Sequence, residues 1–486
     1  MKRLIIAILI IAYAISVGAQ NQDDPAKKYE DFKKQAKQTY IDFRANANAR
    51  YAEFMCLAWK VFSVSPAIPT PQSLEPVAPV VVEPDKKPTA DPLPIDKITP
   101  FPEVMPRPNP IAPVLPPDLA TPETTKSVKQ AFSFAFYDTE CEVRLDNTLR
   151  FSLFSIAEKN VAQAWEFLSS KQYDALLYDC LALRDKLNLC DWGYFQLLKV
   201  MSETFFKKTN NEAVLLQMFL LTQSGYKVRI ARTDTHLALI VPFYQNIYNY
   251  TYINIRGTRY YVINKELKEE SLYICDQEFP KEQYFSWQME LPKLDVKLSP
   301  PKTFTSSLYS EVSVSIQTNQ NLIDFYNDYP LTSAWNLYVN AGLSETVKEM
   351  LYPVLQNAIA GKTKVQAATL LLNFCQMAFD YMTCAEQFGY ERPFFADENF
   401  FFPYNNCKHR ATLYALLVKD LLKLEVVLLH YPGHLATAVY FSENIVGDFL
   451  TIDGKKFVVC DPTYIGASIG MAMDNCKQEK AQVIRL

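Results

Sequence analysis

The chain has 486 residues, a length that allows two or three domains, and its 49% hydrophobic and 21% charged residues suit a globular protein with a sizeable core. A net charge of −4 gives no basis for nucleic-acid binding, and 12 glycines without a GxGxxG or Walker pattern exclude the usual phosphate-cradling loops. The four histidines, His236, His409, His430 and His434, form no zinc-spaced set with the cysteines, so neither a metal nor a cofactor is expected.

Residues 1–19 carry the three regions of a secretory signal: Lys2-Arg3, an apolar run from Leu4 to Val17, and Gly18-Ala19. That run is short for a membrane span and no cysteine follows to take a lipid, so the expected location is periplasmic or secreted; an uncleaved anchor is the alternative. Export permits disulfides, but ten cysteines are too few for a disulfide scaffold, and reduced core residues are expected. Within 20–64, Tyr29, Phe32, Ala36, Tyr40, Phe43, Ala47 and Tyr51 recur at helical spacing, predicting an amphipathic helix from Asp23 to about Phe62. Its stripe docks either on the rest of the chain or on a partner helix. Segment 65–127 holds more than half of the 30 prolines and should run extended, as a linker or a surface strap.

The remaining segments, 128–300 and 301–486, state one theme twice. An offset of 198 sets Lys227-Val-Arg-Ile on Glu425-Val-Val-Leu and His236-Leu-Ala on His434-Leu-Ala. After one residue of slip, Ile255 to Asn264 lies on Ile452 to Asp461, while Ala164-Trp165 and Leu197-Leu198 echo Ala334-Trp335 and Leu371-Leu372. A duplication is the natural reading of such phased similarity. Without a gap the same offset places Thr209 on Cys407, so the first copy has Thr209, His236 and Asn264 where the second has Cys407, His434 and Asp461. An internal threonine is a poor nucleophile and asparagine lacks the charge to stabilise an imidazolium, so the first copy is expected to be inert.

The second copy carries the parts for thiol chemistry. The apolar residues from Ala411 to Leu424 predict a buried helix with Cys407 at its N-terminus, where unpaired N–H groups and the helix dipole favour a thiolate. Glu425 to His430 and His434 to Phe441 predict strands joined by a Pro432-Gly433 turn. Asp453-Gly454 predicts a hairpin whose second strand ends at Asp461, before Pro462. A buried aspartate accepting from one imidazole nitrogen would leave the other free for the cysteine proton. Lys408 and His409 are expected to be solvated and His430 structural, and Cys460 should face away from Asp461. An insertion around Thr383 to Pro403 brings aromatic residues to a place just before Cys407, where they could wall a cleft or simply pack.

Cys407 at a helix start, His434 opening a strand and Asp461-Pro-Thr together resemble the transglutaminase-like superfamily of papain-fold cysteine enzymes, from roughly Leu331 to the C-terminus. Beside the cysteine many relatives carry Gly or an acidic residue, where this chain has Asn405, Asn406 and Lys408. The resemblance implies an α+β fold of two tandem papain-like halves, 128–300 and 301–486, each a helical layer against an antiparallel sheet. It also implies Cys407 as nucleophile, His434 as general base and acid, and Asp461 as orienter. The expected activity is hydrolysis of a peptide or amide bond in a peptide or protein substrate through a thioester, with no nucleic acid and no stable membrane span. A retired binding protein and a glutamine–amine acyltransferase are the alternatives.

Overall fold

The computed structural model describes residues 25–71, 78–103, 106–110, 131–208, 210–243, 245–263, 268–286 and 288–486. The segment 1–19, Thr209 and Asn264 lie outside the described residues. The fold is mixed α+β with antiparallel sheets.

The predicted N-terminal helix forms as α1, Pro25–Met55, but ends earlier than its spacing suggests. The indole N–H of Trp59 takes the Met55 carbonyl at 2.9 Å, and Lys60–Ser63 is strand β1 rather than helix. Only the C-terminal part of the apolar stripe docks on the rest of the chain. Ala47 and Tyr51 are buried, whereas Tyr29, Phe32, Tyr40 and Phe43 stay exposed. Asn48 helps to hold the docked end, its Oδ1 accepting from Trp165 Nε1 at 3.2 Å and Gln223 Nε2 at 2.9 Å.

From Phe132 onward one order of elements occurs twice. The first unit has a hairpin of β3 (Phe132–Phe136) and β4 (Thr139–Val143), then helices α2 (Glu158–Ser170), α3 (Asp174–Lys186), α4 (Asp191–Phe206) and α5 (Asn211–Gln223). Strands β5 (Arg229–Arg232), β6 (Leu237–Pro242), β7 (Tyr252–Ile255), β8 (Thr258–Val262) and β9 (Ser271–Ile274) follow. The second unit has a hairpin of β10 (Lys302–Thr305) and β11 (Ser313–Ile316), then α6 (Gln320–Asp328), α7 (Trp335–Asn340), α8 (Glu345–Ile359) and α9 (Lys364–Met377). The inserted stretch follows, with β12 (Asp380–Tyr381), α10 (Cys384–Phe388), α11 (Glu398–Phe401) and β13 (Tyr404–Asn405). The unit closes with α12 (Cys407–Leu417), β14 (Val426–Tyr431), β15 (His434–Tyr440), β16 (Phe449–Ile452), β17 (Lys455–Cys460), α13 (Asp474–Gln478) and β18 (Ala481–Arg485).

The two sheets correspond strand for strand. With β2 (Ile95–Ile98), the orders are β1-β9-β5-β6-β8-β7 and β2-β18-β14-β15-β17-β16. Register agrees as well: Arg229 pairs with Ile240 as Val427 pairs with Ala438, the offset of 198 on both sides. Ile255 opposes Thr258 as Ile452 opposes Lys455, one residue of slip later.

Each sheet buries its inner face on helices in a core shared by both units, where the Trp192 and Tyr329 rings lie 6.5 Å apart. A sheet that is apolar on both faces also needs an outer cover. A strap running from Lys60 into the proline-rich segment supplies it: Phe62 and Val64, just before that segment, pack on the outer face of the first sheet, and Val82, Leu93 and Ile95, within it, on that of the second. Lacking amide donors at its prolines, the strap adds strands only at sheet edges, β1 antiparallel to β9 and β2 parallel to β18. Among the described residues no helix is long and apolar enough to cross a membrane.

Where the strap returns to the first unit, the Asn109 carbonyl sits against Gly225, whose φ is +91°. A Cβ there would lie 2.0 Å from that oxygen. Gly225→Ala is therefore expected to destabilise the fold by about 2–4 kcal/mol, read as a lower urea midpoint, and to speed proteolysis of the strap near Asn109.

Candidate active site

Cys407 is the first residue of α12, and its position is set by the cap before it. Asn406 is extended, and its side-chain oxygen accepts from Lys408 N at 3.0 Å and His409 N at 3.2 Å. His409 Nδ1 accepts from Asn406 N in return at 3.2 Å, closing a reciprocal cap. The helix is buried on every face: Ala411 and the residues from Leu413 to Leu417 are apolar, and the polar residues of its first turns, Lys408, His409 and Arg410, are buried with partners. It ends in a π-helical turn, Val418–Leu422, that α5 lacks. Judged from the caps Asn210 and Asn406, the counterpart of Cys407 is Asn211, not Thr209 as the ungapped offset suggests. The π turn takes up the difference before the strands come back into phase.

The other two groups arrive from the sheet. The tight turn before β15 is made at Gly433, with φ +73°, and its carbonyl lies 3.9 Å from Cys407 Sγ. His434 is the first residue of β15, and Asp461 is the residue that follows β17. Asp461 Oδ2 lies 2.8 Å from His434 Nε2, while Oδ1 accepts from Thr463 N at 2.9 Å. A carboxylate only accepts, so Nε2 carries the proton and Nδ1 is the nitrogen left for the thiol. Nδ1 has no partner of good hydrogen-bond geometry, although Cys407 acts on the ring both by charge and as a hydrogen-bond partner.

Two residues that the motif did not announce hold the frame. Gln376, on α9, donates from Nε2 to the carbonyls of Asp461 (3.2 Å), Tyr464 (2.8 Å) and Ala467 (3.1 Å). Arg410, buried on α12, donates to the carbonyls of Gln376 (2.9 Å) and Phe379 (2.6 Å), fixing the helix that carries Cys407 to the one that carries Gln376. A polar residue in the apolar run Leu370 to Met377 and a charge inside the start of a buried helix were the available signals.

The inserted stretch grips the helix start on both sides of Cys407. Asn405 Nδ2 donates to Asn399 Oδ1 at 3.0 Å, and Asn406 Nδ2 to Cys384 Sγ at 3.0 Å. Lys408 pairs with Glu391 at 2.7 Å, and His409 Nε2 donates to the Arg392 carbonyl at 2.8 Å under the stacked ring of Phe394, 3.5 Å away. Lys408 and His409 are thus buried, not solvated as the sequence suggested. Burial pushes the His409 pKa down to about 3, with Lys408 adding to the effect, so His409 is neutral and structural. Cys407 itself is fully buried. Cys460 packs in the inner core, pushed up to about 12 by burial, whereas its neighbour Val459 packs on the outer face. All ten cysteines are free.

In the first unit the described counterparts, Asn211 and His236, are engaged elsewhere. His236 keeps the register of His434, its carbonyl accepting from Thr233 N at 2.9 Å, but the ring is exposed and its Nδ1 lies 2.8 Å from Thr235 Oγ1. Asn211 ties the helix start to this turn, donating to Thr235 O at 3.1 Å and accepting from Leu237 N at 2.8 Å. With Leu197-Leu198 on Leu371-Leu372, Ser202 holds the place of Gln376, and its hydroxyl has no partner among the described residues. No group of three or more His, Cys, Asp or Glu suited to a metal occurs among the described residues. Compared with family models, curated proteins and solved structures, the chain matches none.

Burial alone would lower the His434 pKa, but the Asp461 carboxylate, by charge and by hydrogen bond, and then Cys407 outweigh it and raise it from 6.5 to about 10. A histidine with a raised folded pKa stabilises the protein fully below its unfolded pKa and loses that contribution as pH rises through the folded value. The Tm advantage of the wild type over His434→Gln should therefore be largest near pH 6 and shrink towards pH 10, as measured by thermal melts across that range.

Proposed function

We propose that this chain is an exported cysteine hydrolase of the transglutaminase-like, papain-fold type, cleaving a peptide or amide bond with Cys407, His434 and Asp461. The observation that carries the reading is the division of the His434 ring: Nε2 is committed to Asp461, and Nδ1 is left for a thiol at the first position of a buried helix. A raised His434 proton affinity keeps the ring cationic at neutral pH, the state that pairs with a sulfur anion.

In this mechanism Cys407 Sγ attacks the scissile carbonyl, and its proton resides on His434 Nδ1. The Cys407 N–H, at the positive end of α12, is the backbone donor for the oxyanion. As the tetrahedral intermediate collapses, the C–N bond breaks and His434 gives its proton to the leaving amine, leaving a thioester. Water then attacks the thioester with His434 as base, releasing the acid and restoring the thiol. The matching strand order and register of the first unit support its reading as a copy of the same domain, and the exposed His236 and tied Asn211 support its being inert.

The complete burial of Cys407 favours a second reading, a binding protein that has kept the site and lost turnover. The two separate in one experiment. Digests of denatured proteins are incubated with wild type, Cys407→Ala and Phe394→Ala chains, and new termini are read by mass spectrometry alongside iodoacetamide labelling of Cys407. The hydrolase reading expects cleavage reduced about 10⁴-fold or more in Cys407→Ala, with faster Cys407 labelling once the Phe394 ring is removed from His409. Absence of Cys407-dependent products, together with an unlabelled Cys407 even in Phe394→Ala, contradicts it.

A further inference from the structure

The first unit has an open cavity of about 660 Å³ beside the place where the second unit holds its triad. It lies next to two of the counterpart positions: Val214 is one turn after Asn211 on α5, and Leu237 follows His236. The first unit passes from α4 to α5 by a short link, without an insertion of its own, whereas the second unit spends 378–406 between α9 and α12. That insertion reaches across and completes the cavity wall with Tyr390 and Arg392, while Glu391 between them pairs with Lys408 beside Cys407. The cavity therefore needs both units.

We propose that this cavity is a non-catalytic binding site for a peptide chain. The choice of peptide rests on reading the second unit as a peptide or amide hydrolase, whose substrate would meet the two related units of one molecule. The wall chemistry fits that ligand. Gln196, Asn249 and Asn327 offer carboxamides, which donate and accept as peptide groups do, and the indole N–H of Trp192 finds no acceptor within the described protein. Charges of both signs, Lys199 and Arg392 with Glu203 and Asp328, suit a mixed polymer better than a polyanion. Trp192, Phe195, Tyr250 and Tyr329 are nearly fully buried, whereas Tyr390 is 41% exposed. Apolar side chains can use such ring edges; a sugar needs open ring faces to stack upon.

The test uses the full chain with Cys407→Ala as background, so that binding is read without turnover, against a displayed library of random dodecapeptides. Enriched peptides should bind the background protein and lose at least tenfold in affinity with Val214→Trp, which fills the cavity, and with Tyr390→Ala, which removes its rim. Lys199→Glu, an exposed change that leaves the core untouched, should weaken the acidic members of the enriched set; circular dichroism and Tm show that each variant folds. Failure to enrich peptides overturns the proposal, as does binding indifferent to all three variants. A glycan array bound by the background protein and lost in Val214→Trp also overturns it, in favour of a carbohydrate. Enrichment that follows the variants, in a chain whose wild type shows no Cys407-dependent cleavage, would sustain this site while refuting the hydrolase reading.

Discussion

The arrangement depends on one buried contact, the hydrogen bond between His434 Nε2 and Asp461 Oδ2. It joins the start of β15 to the end of β17, and it decides which ring nitrogen faces the cysteine. A buried carboxylate and imidazole are tolerated in a core only when each is paired. Much of the surrounding structure secures that pairing. Thr463 N takes the second carboxylate oxygen, Gln376 holds the following turn by three carbonyls, and Arg410 fixes Gln376 to the helix of Cys407. The same frame without these groups, in the first unit, leaves His236 in water.

Two units with matching sheets pose a common packing problem. Each sheet is apolar on both faces, the helices cover only the inner one, and the strap covers the outer faces of both in turn. Proline suits that task because it runs extended and leaves the sheet edge capped rather than extended further. The strap is also anchored by polar groups, with the Thr89 hydroxyl and Asp91 N both donating to the buried Asp448 carboxylate. A segment that reads by composition as a linker or a surface strap is thus a strap where it is described.

What could be read from the sequence was local. Pro432-Gly433 and Asp453-Gly454 are turn signals between apolar runs, and they place His434 and Asp461 on their strands without knowledge of the rest. Cys407 at a helix start follows from Asn406 and the apolar run behind it. Two of the misreadings depend on partners elsewhere in the chain, and the third on a local irregularity. Helical spacing continues past Met55, but β1 forms because Ser271–Ile274 offers an edge. Lys408 and His409 look solvated until Glu391 and Phe394 come down on them. An ungapped offset chose Thr209 over Asn211 because a π turn has no sequence signature of its own.

The account stands or falls on whether Cys407 acts on the protonation of His434. With only four histidines, ¹³C-labelled imidazole resonances can be followed by NMR from pH 5 to 11 in the wild type and in Cys407→Ser. The account predicts that the His434 resonance titrates near pH 10 in the wild type and at a distinctly lower pH in Cys407→Ser, with Asp461 still in place. A His434 midpoint that is the same in both proteins would show that the thiol and the ring are neighbours without being partners, and would contradict the triad.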